Sequence, residues 1–268
     1  MTLRNLVGVL FLLMVFSANV NGQTPPNKPD DLVRAIETGC RARDTKPLAS
    51  FLQDWHREHG PVAEGVLRKK PAFEQAVYAL YSRFYVPVDR SKSADYIIVQ
   101  GSVAIDLVDA DLSDLFRNRK ARAMKGGTIS RIQIQDFRPV VNVGQKKTLY
   151  MDDDHLDVLL RFLTGKDESV LESYWNESNG EVKELRGPHD MMRLYRLYYL
   201  DELLDILPGH SGRGWHFETQ PYVARVYLHT DFQSAIVVYQ EDYSGNEALM
   251  RQDKAGWRVV EKKATWIE

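Results

Sequence analysis

Four runs near the end of the chain, PYVARVYLH (221–229), SAIVVYQE (234–241), EALMRQ (247–252) and GWRVVEKKATWI (256–267), decide the reading of the fold. Each has the length of a strand. The links between them, His229-Thr230-Asp231, Asp242-Tyr243-Ser244-Gly245-Asn246 and Asp253-Lys254-Ala255-Gly256, are built from Gly, Asn and Asp. Those residues accept positive φ or bond to their own backbone, so the chain reverses at each link and an antiparallel meander is predicted. Strand side chains alternate between faces, which puts Tyr222, Ala224, Val226 and Leu228 on one side and Val223, Arg225, Tyr227 and His229 on the other.

Working outward, Pro188 opens a helical pattern of Met191, Leu194, Tyr195, Tyr198, Leu203 and Leu207 that Pro208-Gly209 ends. Laid across the meander, this helix completes a two-layer unit over 188–268. Further upstream, Asp30 or Asp31 caps a helix carrying Leu32, Val33, Ile36 and Cys40, and Thr45 caps a second with Leu48, Phe51, Leu52 and Trp55. A third pattern from Val62 to Phe84 is divided by Pro71. From Asp95 the period changes to two, through Tyr96 and Ile98 and then, across Gly101, Val103, Ile105 and Leu107. A further pair of strands, 129–141 and 146–151, flanks a turn at Asn142-Val143-Gly144, and Asp152-Asp153-Asp154 opens a helix through Val158, Leu159, Phe162 and Leu163. The polar stretch 166–188 separates two apolar systems and is the expected boundary. The predicted class is α+β: a helical N-terminal part with a small sheet (30–165), then a helix packed on a C-terminal antiparallel meander (188–268).

The N-terminus constrains location. Arg4 precedes an apolar run from Leu6 to Phe16, followed by small residues up to Gly22, the pattern of a secretory signal peptide over 1–22. That run is about half of the roughly 20 residues needed to span a bilayer, so no transmembrane segment is expected in the mature chain. A soluble, exported protein, periplasmic or extracellular, follows. The single cysteine, Cys40, excludes an intramolecular disulfide framework. A net charge of −2 excludes a general polyanion binder, so no nucleic-acid partner is expected. The basic stretch with Arg117, Arg119, Lys120, Arg122 and Lys125 is balanced by Asp109, Asp111 and Asp114 and reads as a solvated segment. Asn176-Glu177-Ser178 matches the glycosylation pattern, which is common by chance.

Familiar catalytic signatures are absent: there is no P-loop, dinucleotide fingerprint, GxSxG or HExxH. His56 and His59 share a helical spacing but are two ligands short of a zinc site. Asp152, Asp153, Asp154, His155 and Asp157 form the densest acidic cluster, which helix capping explains. The remaining candidate is the link GHSGRGWHFE (209–218). Its glycines allow a sharp turn, and His210, Arg213, Trp215, His216 and Glu218 bring more polar and aromatic chemistry than a plain connection needs. These five are the predicted ligand-binding residues, for a small molecule, a glycan or a protein, with no metal and no cofactor called for. The reading is a binding or interaction module. An alternative is a hydrolase or isomerase with His210 or His216 as base, oriented by Glu218 or Asp231. A third is a structural component of the envelope.

The ending Ala255-Gly256-Trp257-Arg258-Val259-Val260 through Trp266, with two long strands and a Tyr-rich helix before it, resembles the terminal strands of the NTF2-like cone fold over 188–268. The resemblance implies helices leading to an early hairpin ahead of the meander. That fold serves enzymes, binding modules and bare scaffolds, so it assigns no catalytic residue. The His-rich loop and export signal also resemble those of uncharacterised exported bacterial proteins.

Overall fold

The computed structural model describes residues 28–88, 94–118, 128–164, 188–208, 215–241 and 244–267. The expected signal peptide (1–22), residues 166–187 of the expected boundary with its glycosylation pattern, most of the basic stretch, and His210 and Arg213 lie outside the described residues.

The helices come first: α1 (Pro29–Ala42), α2 (Lys46–Glu58), α3 (Glu64–Leu67) and α4 (Ala72–Phe84). Then follow β1 (Tyr96–Ile98), β2 (Val103–Val108), α5 (Leu112–Arg117), β3 (Thr128–Ile134), β4 (Lys147–Leu149), α6 (Asp153–Thr164) and α7 (Pro188–Asp201). The chain ends in β5 (Leu207–Pro208), β6 (Trp215–His216), β7 (Tyr222–His229), β8 (Ser234–Glu241), β9 (Ser244–Asp253) and β10 (Gly256–Ile267). The class is α+β, and the meander is there as predicted, with Gly256 at φ +103 where the last hairpin turns. No described helix is long and apolar enough to cross a membrane.

The main sheet has six strands in the order β10-β9-β8-β7-β2-β3, antiparallel throughout except for the parallel β2–β7 pair. Strands from both sides of 165–187 thus share one sheet, so the compositional boundary does not divide it. Two expectations are corrected. The strand predicted at 146–151 does not pair with the one before it: β4 runs parallel to β1, and β3 pairs with β2. The helix on the meander is α4, whose Val77, Leu80, Tyr81 and Phe84 pack with Val226, Val237, Met250 and Trp257. Buried residues of α7, Leu197, Tyr199 and Leu200, instead join a helical core with α1, α2 and α6. The opposite face of the sheet is covered by α5 through Leu112, Leu115 and Phe116, over Val108, Ile236 and Leu249.

The predicted faces of β7 also change, for a local reason. Val223 opposes Tyr239 and Arg225 opposes Val238, so Ala224 is an extra residue, a β-bulge. The bulge resets the alternation. Val223, Val226 and Leu228 all face the core, while Tyr222 and Ala224 are exposed.

Strand β1 is the seam of the molecule. Tyr96 and Ile98 enter the helical core while Ile97 and Val99 enter the sheet core, as alternation requires of a strand buried on both faces. Leu149 and Met151 divide from Tyr150 in the same way beside it. One edge of β1 is taken by β4. The other is taken by the chain after α7, with Tyr96 N–H donating to Leu203 C=O at 3.0 Å and Thr219 N–H to Ile98 C=O at 2.7 Å.

Candidate functional site

That last bond begins the site, because it fixes the segment that carries Glu218. Ile98 and Glu218 form a parallel bridge, the Tyr85 hydroxyl donates to Thr219 C=O at 2.9 Å, and Val88 N–H donates to Gln220 C=O at 2.9 Å. Just beyond it, the buried Gln100 side chain pairs with β7 as a strand would, accepting from Val223 N–H at 2.7 Å and donating to Val223 C=O at 3.0 Å. Two stretches of chain, 85–88 after α4 and 98–100 at the end of β1, therefore hold one short stretch in place. Rigid support of this kind is what a binding group on a connection requires.

Glu218 stands between two clefts and lines both, as does Asp153 from the first turn of α6. The larger, about 470 Å³, has walls from Leu156, Leu160, Phe217 and Tyr222, with Asp157, His216 and the amides of Gln220 and Gln240 among its polar groups. The smaller, about 330 Å³, is bordered by Trp55, His59, Ser102, Gln135, Arg138 and Tyr150. His59 stacks on Trp55 with ring centroids 4.0 Å apart, and Arg138 is held by Asp136 at 2.8 Å and by Gly60 C=O at 3.0 Å.

The electrostatics follow from placement. Burial, then the Asp153 charge, pushes the Glu218 carboxyl up to about 7 from 4.5, and a backbone N–H from Gly101 works in the opposite direction. Gly101 approaches closely enough to donate because it has no side chain: a Cβ there would sit 2.9 Å from the Met151 carbonyl oxygen. Tyr222 is raised by burial and by the Glu218 and Asp153 charges. His216 lies exposed in the larger cleft, yet the surrounding chain desolvates its ring enough to lower its pKa, which leaves it neutral at pH 7.

Of the predicted site residues, His216 and Glu218 do line one cleft together. Trp215 is placed by its backbone, pairing with Pro208 in the β5–β6 ribbon. Asp231 cannot orient His216. It bonds His229 at 2.8 Å beyond the far end of β7, on the order of 20 Å from Tyr222 at strand rise. His56 and His59 do not meet on a shared ligand either: His56 Nδ1 bonds Thr148 C=O at 2.7 Å, while His59 turns to Trp55. Among the described residues no group of three or more His, Cys, Asp or Glu side chains is placed to hold a metal ion.

The acidic cluster divides into two roles. Asp152 accepts the His155 N–H at 3.0 Å and the His155 ring Nδ1 at 2.6 Å, the geometry of an N-cap, and His155 is buried beneath Trp55 and Phe51. Asp153 and Asp157 line the larger cleft instead, with Asp157 also bonded to Arg161 at 2.9 Å. Sequence reasoning missed Asp153, Tyr222 and the α6 wall. Comparison of the chain with protein-family models, with curated proteins and with solved structures gives no match.

Proposed function

We propose that the chain is an exported ligand-binding module whose site is the groove divided by Glu218 and Asp153. One observation carries this reading: the same two carboxyls line both clefts, beside apolar and aromatic walls, with Glu218 on a segment held by the stretches 85–88 and 98–100. Binding sites join apolar surface to a few fixed polar groups in this way. The test is a thermal-shift screen of the full chain against amines, glycans and peptides, repeated with Glu218→Gln and Tyr222→Ala. Hits that survive both substitutions unchanged place the site elsewhere. Export rests on the segment 1–22, and mass spectrometry of secreted material should find Gln23 as the first residue.

A second reading, acid–base catalysis of a hydrolysis or isomerisation, is favoured by one feature. Glu218 is held near neutrality, where a carboxyl can give and take a proton, with a neutral His216 in the same cleft. Turnover with a bell-shaped pH profile whose Glu218 limb disappears in Glu218→Gln would favour it over binding alone. We also propose that the NTF2-like resemblance extends beyond 188–268. The antiparallel β2–β3 pair beside the meander, with helices ahead of it, supports that extension.

A further inference from the structure

The larger cleft has a composition that selects among ligands. Asp153, Asp157 and Glu218 line it, and no Lys or Arg side chain does among the described residues. Asp157 has Arg161 as a partner, whereas Asp153 and Glu218 have no ion pair among the described residues. An anionic ligand would add to this unbalanced charge. Next to the carboxyls, Tyr222 is 40% exposed and Leu160 37% exposed, so an apolar wall is open to solvent beside the charged end.

We infer that the groove takes a primary ammonium carried on an aliphatic stem, as in a lysine side chain or a polyamine, with the ammonium between Glu218 and Asp153 and the stem along Leu156, Leu160 and Tyr222. This rests on reading the groove as the binding site. An ammonium is a compact charge with three donors that fan outward, which suits carboxyls arriving from two different elements, whereas a planar guanidinium is best met by one carboxylate fork. The aliphatic stem loses apolar surface to the wall as the charge finds its partners. The Tyr222 ring adds a π face that favours a cation near it.

Occupancy is linked to a proton. An ammonium favours the ionised Glu218, so binding at neutral pH displaces the proton that burial and Asp153 hold there. Loss of the proton release in Glu218→Gln assigns it to Glu218 rather than to the other groups that face the two clefts. Tyr81 of α4, Tyr85 just after it and Tyr222 of β7 are all raised by burial and stay neutral, and His216 is lowered. Across the smaller cleft Arg138 is paired with Asp136, Asp152 with His155, and His59 stacks on Trp55. With Glu218 at about 7, its ionised fraction rises from about a tenth at pH 6 to about nine-tenths at pH 8, so affinity should rise by up to about tenfold.

The experiment is titration calorimetry of the full chain with spermidine, Nα-acetyl-lysine amide, its Nε-acetylated counterpart and an N-acetylglucosamine tetramer. Each is measured at pH 6 and pH 8 in two buffers of different ionisation enthalpy. The expected result is binding of the two amines, tighter at pH 8, with proton release at pH 7 and no binding of the Nε-acetylated form. Glu218→Gln should weaken amine binding and remove both the pH slope and the proton release. Asp153→Asn should weaken it and move the slope to lower pH, because the charge that helps to raise Glu218 is gone. If the tetramer binds and responds to Glu218→Gln while the amines do not bind, the ammonium assignment is overturned and the groove remains the site. If the amines bind wild type and Glu218→Gln equally, their association is surface charge alone, and the assignment is overturned. If any probe binds but is indifferent to Glu218→Gln, Asp153→Asn and Tyr222→Ala alike, the groove reading falls with it.

Discussion

Replacing Glu218 by Gln should change the stability of the protein in a way that depends on pH, with a sign and size that follow from the site. In the folded chain the carboxyl titrates at about 7 against 4.5 for the free group. Folding therefore favours the protonated form. The stability that form contributes is fully present below pH 4.5 and is lost as pH rises through 7. The two-and-a-half-unit gap corresponds to roughly 3 kcal/mol at 1.36 kcal/mol per unit, an upper figure because the group is only half-buried. Glutamine keeps the shape, still accepts from the Gly101 N–H, and never ionises. The variant should match wild type near pH 4 and exceed it by up to about 3 kcal/mol at pH 8. Urea denaturation at half-unit intervals from pH 4 to 8 measures the difference directly, and unrelated titrations cancel between the two proteins. A constant difference across the range, or a variant that is less stable at pH 8, would refute the argument, since either means that the ionised carboxylate is not penalised where it stands.

Three other outcomes are expected. Trp257→Ala should cost roughly 3–5 kcal/mol, because the indole is buried between α4 and the sheet, while Arg258→Ala, which removes only an exposed pair with Asp253, should cost about 1 kcal/mol or less in the same denaturation assay. Gly101→Ala should destabilise by about 1–3 kcal/mol, since its methyl meets the Met151 carbonyl at 2.9 Å, and should raise the Glu218 midpoint further by displacing the N–H that lowers it; carboxyl titration by NMR reads the shift. Gln100→Ala leaves the Val223 N–H and C=O without their partner, at a cost of about 1–3 kcal/mol for each group that stays buried, and faster amide exchange at Val223 should accompany the loss.

The meander was legible because its information is local. Alternating side chains and turns of Gly, Asn and Asp place Ser234–Glu241 and Gly256–Ile267 at the bounds the sequence suggests. The faces of β7 were not legible, since the bulge at Ala224 is made by its pairing with β8 and no glycine marks it. Parallel pairing was hidden for a similar reason. Nothing within Lys147–Leu149 distinguishes a partner at Tyr96–Ile98 from the strand that precedes it, because the choice is made by the two cores that the β1–β4 ribbon must separate. Both α4 and α7 carry apolar residues at helical spacing, so periodicity cannot say which of them covers the sheet.

Within the site, His216 and Glu218 were two of the five residues that the sequence singled out, and both line the larger cleft. What gives Glu218 its character was not visible: its burial is set by the packing of distant segments, and Asp153, the lesser contributor, comes from another part of the chain and was absorbed into an account of helix capping. That account is correct for Asp152 alone. One side chain accepts the His155 N–H, and a helix needs only one N-cap, so capping by hydrogen bond leaves Asp153 unexplained. The dipole of α6 favours negative charge at its first turn by about 0.3–1 kcal/mol, which makes Asp153 tolerable there without making it necessary. Its placement beside a half-buried Glu218 costs something in return, because two like charges in one groove oppose each other's ionisation. Both carboxyls line the same groove, so together they place there the negative potential that the proposed ammonium would use. The carboxylate beyond the cap, Asp153, is therefore the sequence feature on which the proposed groove site rests.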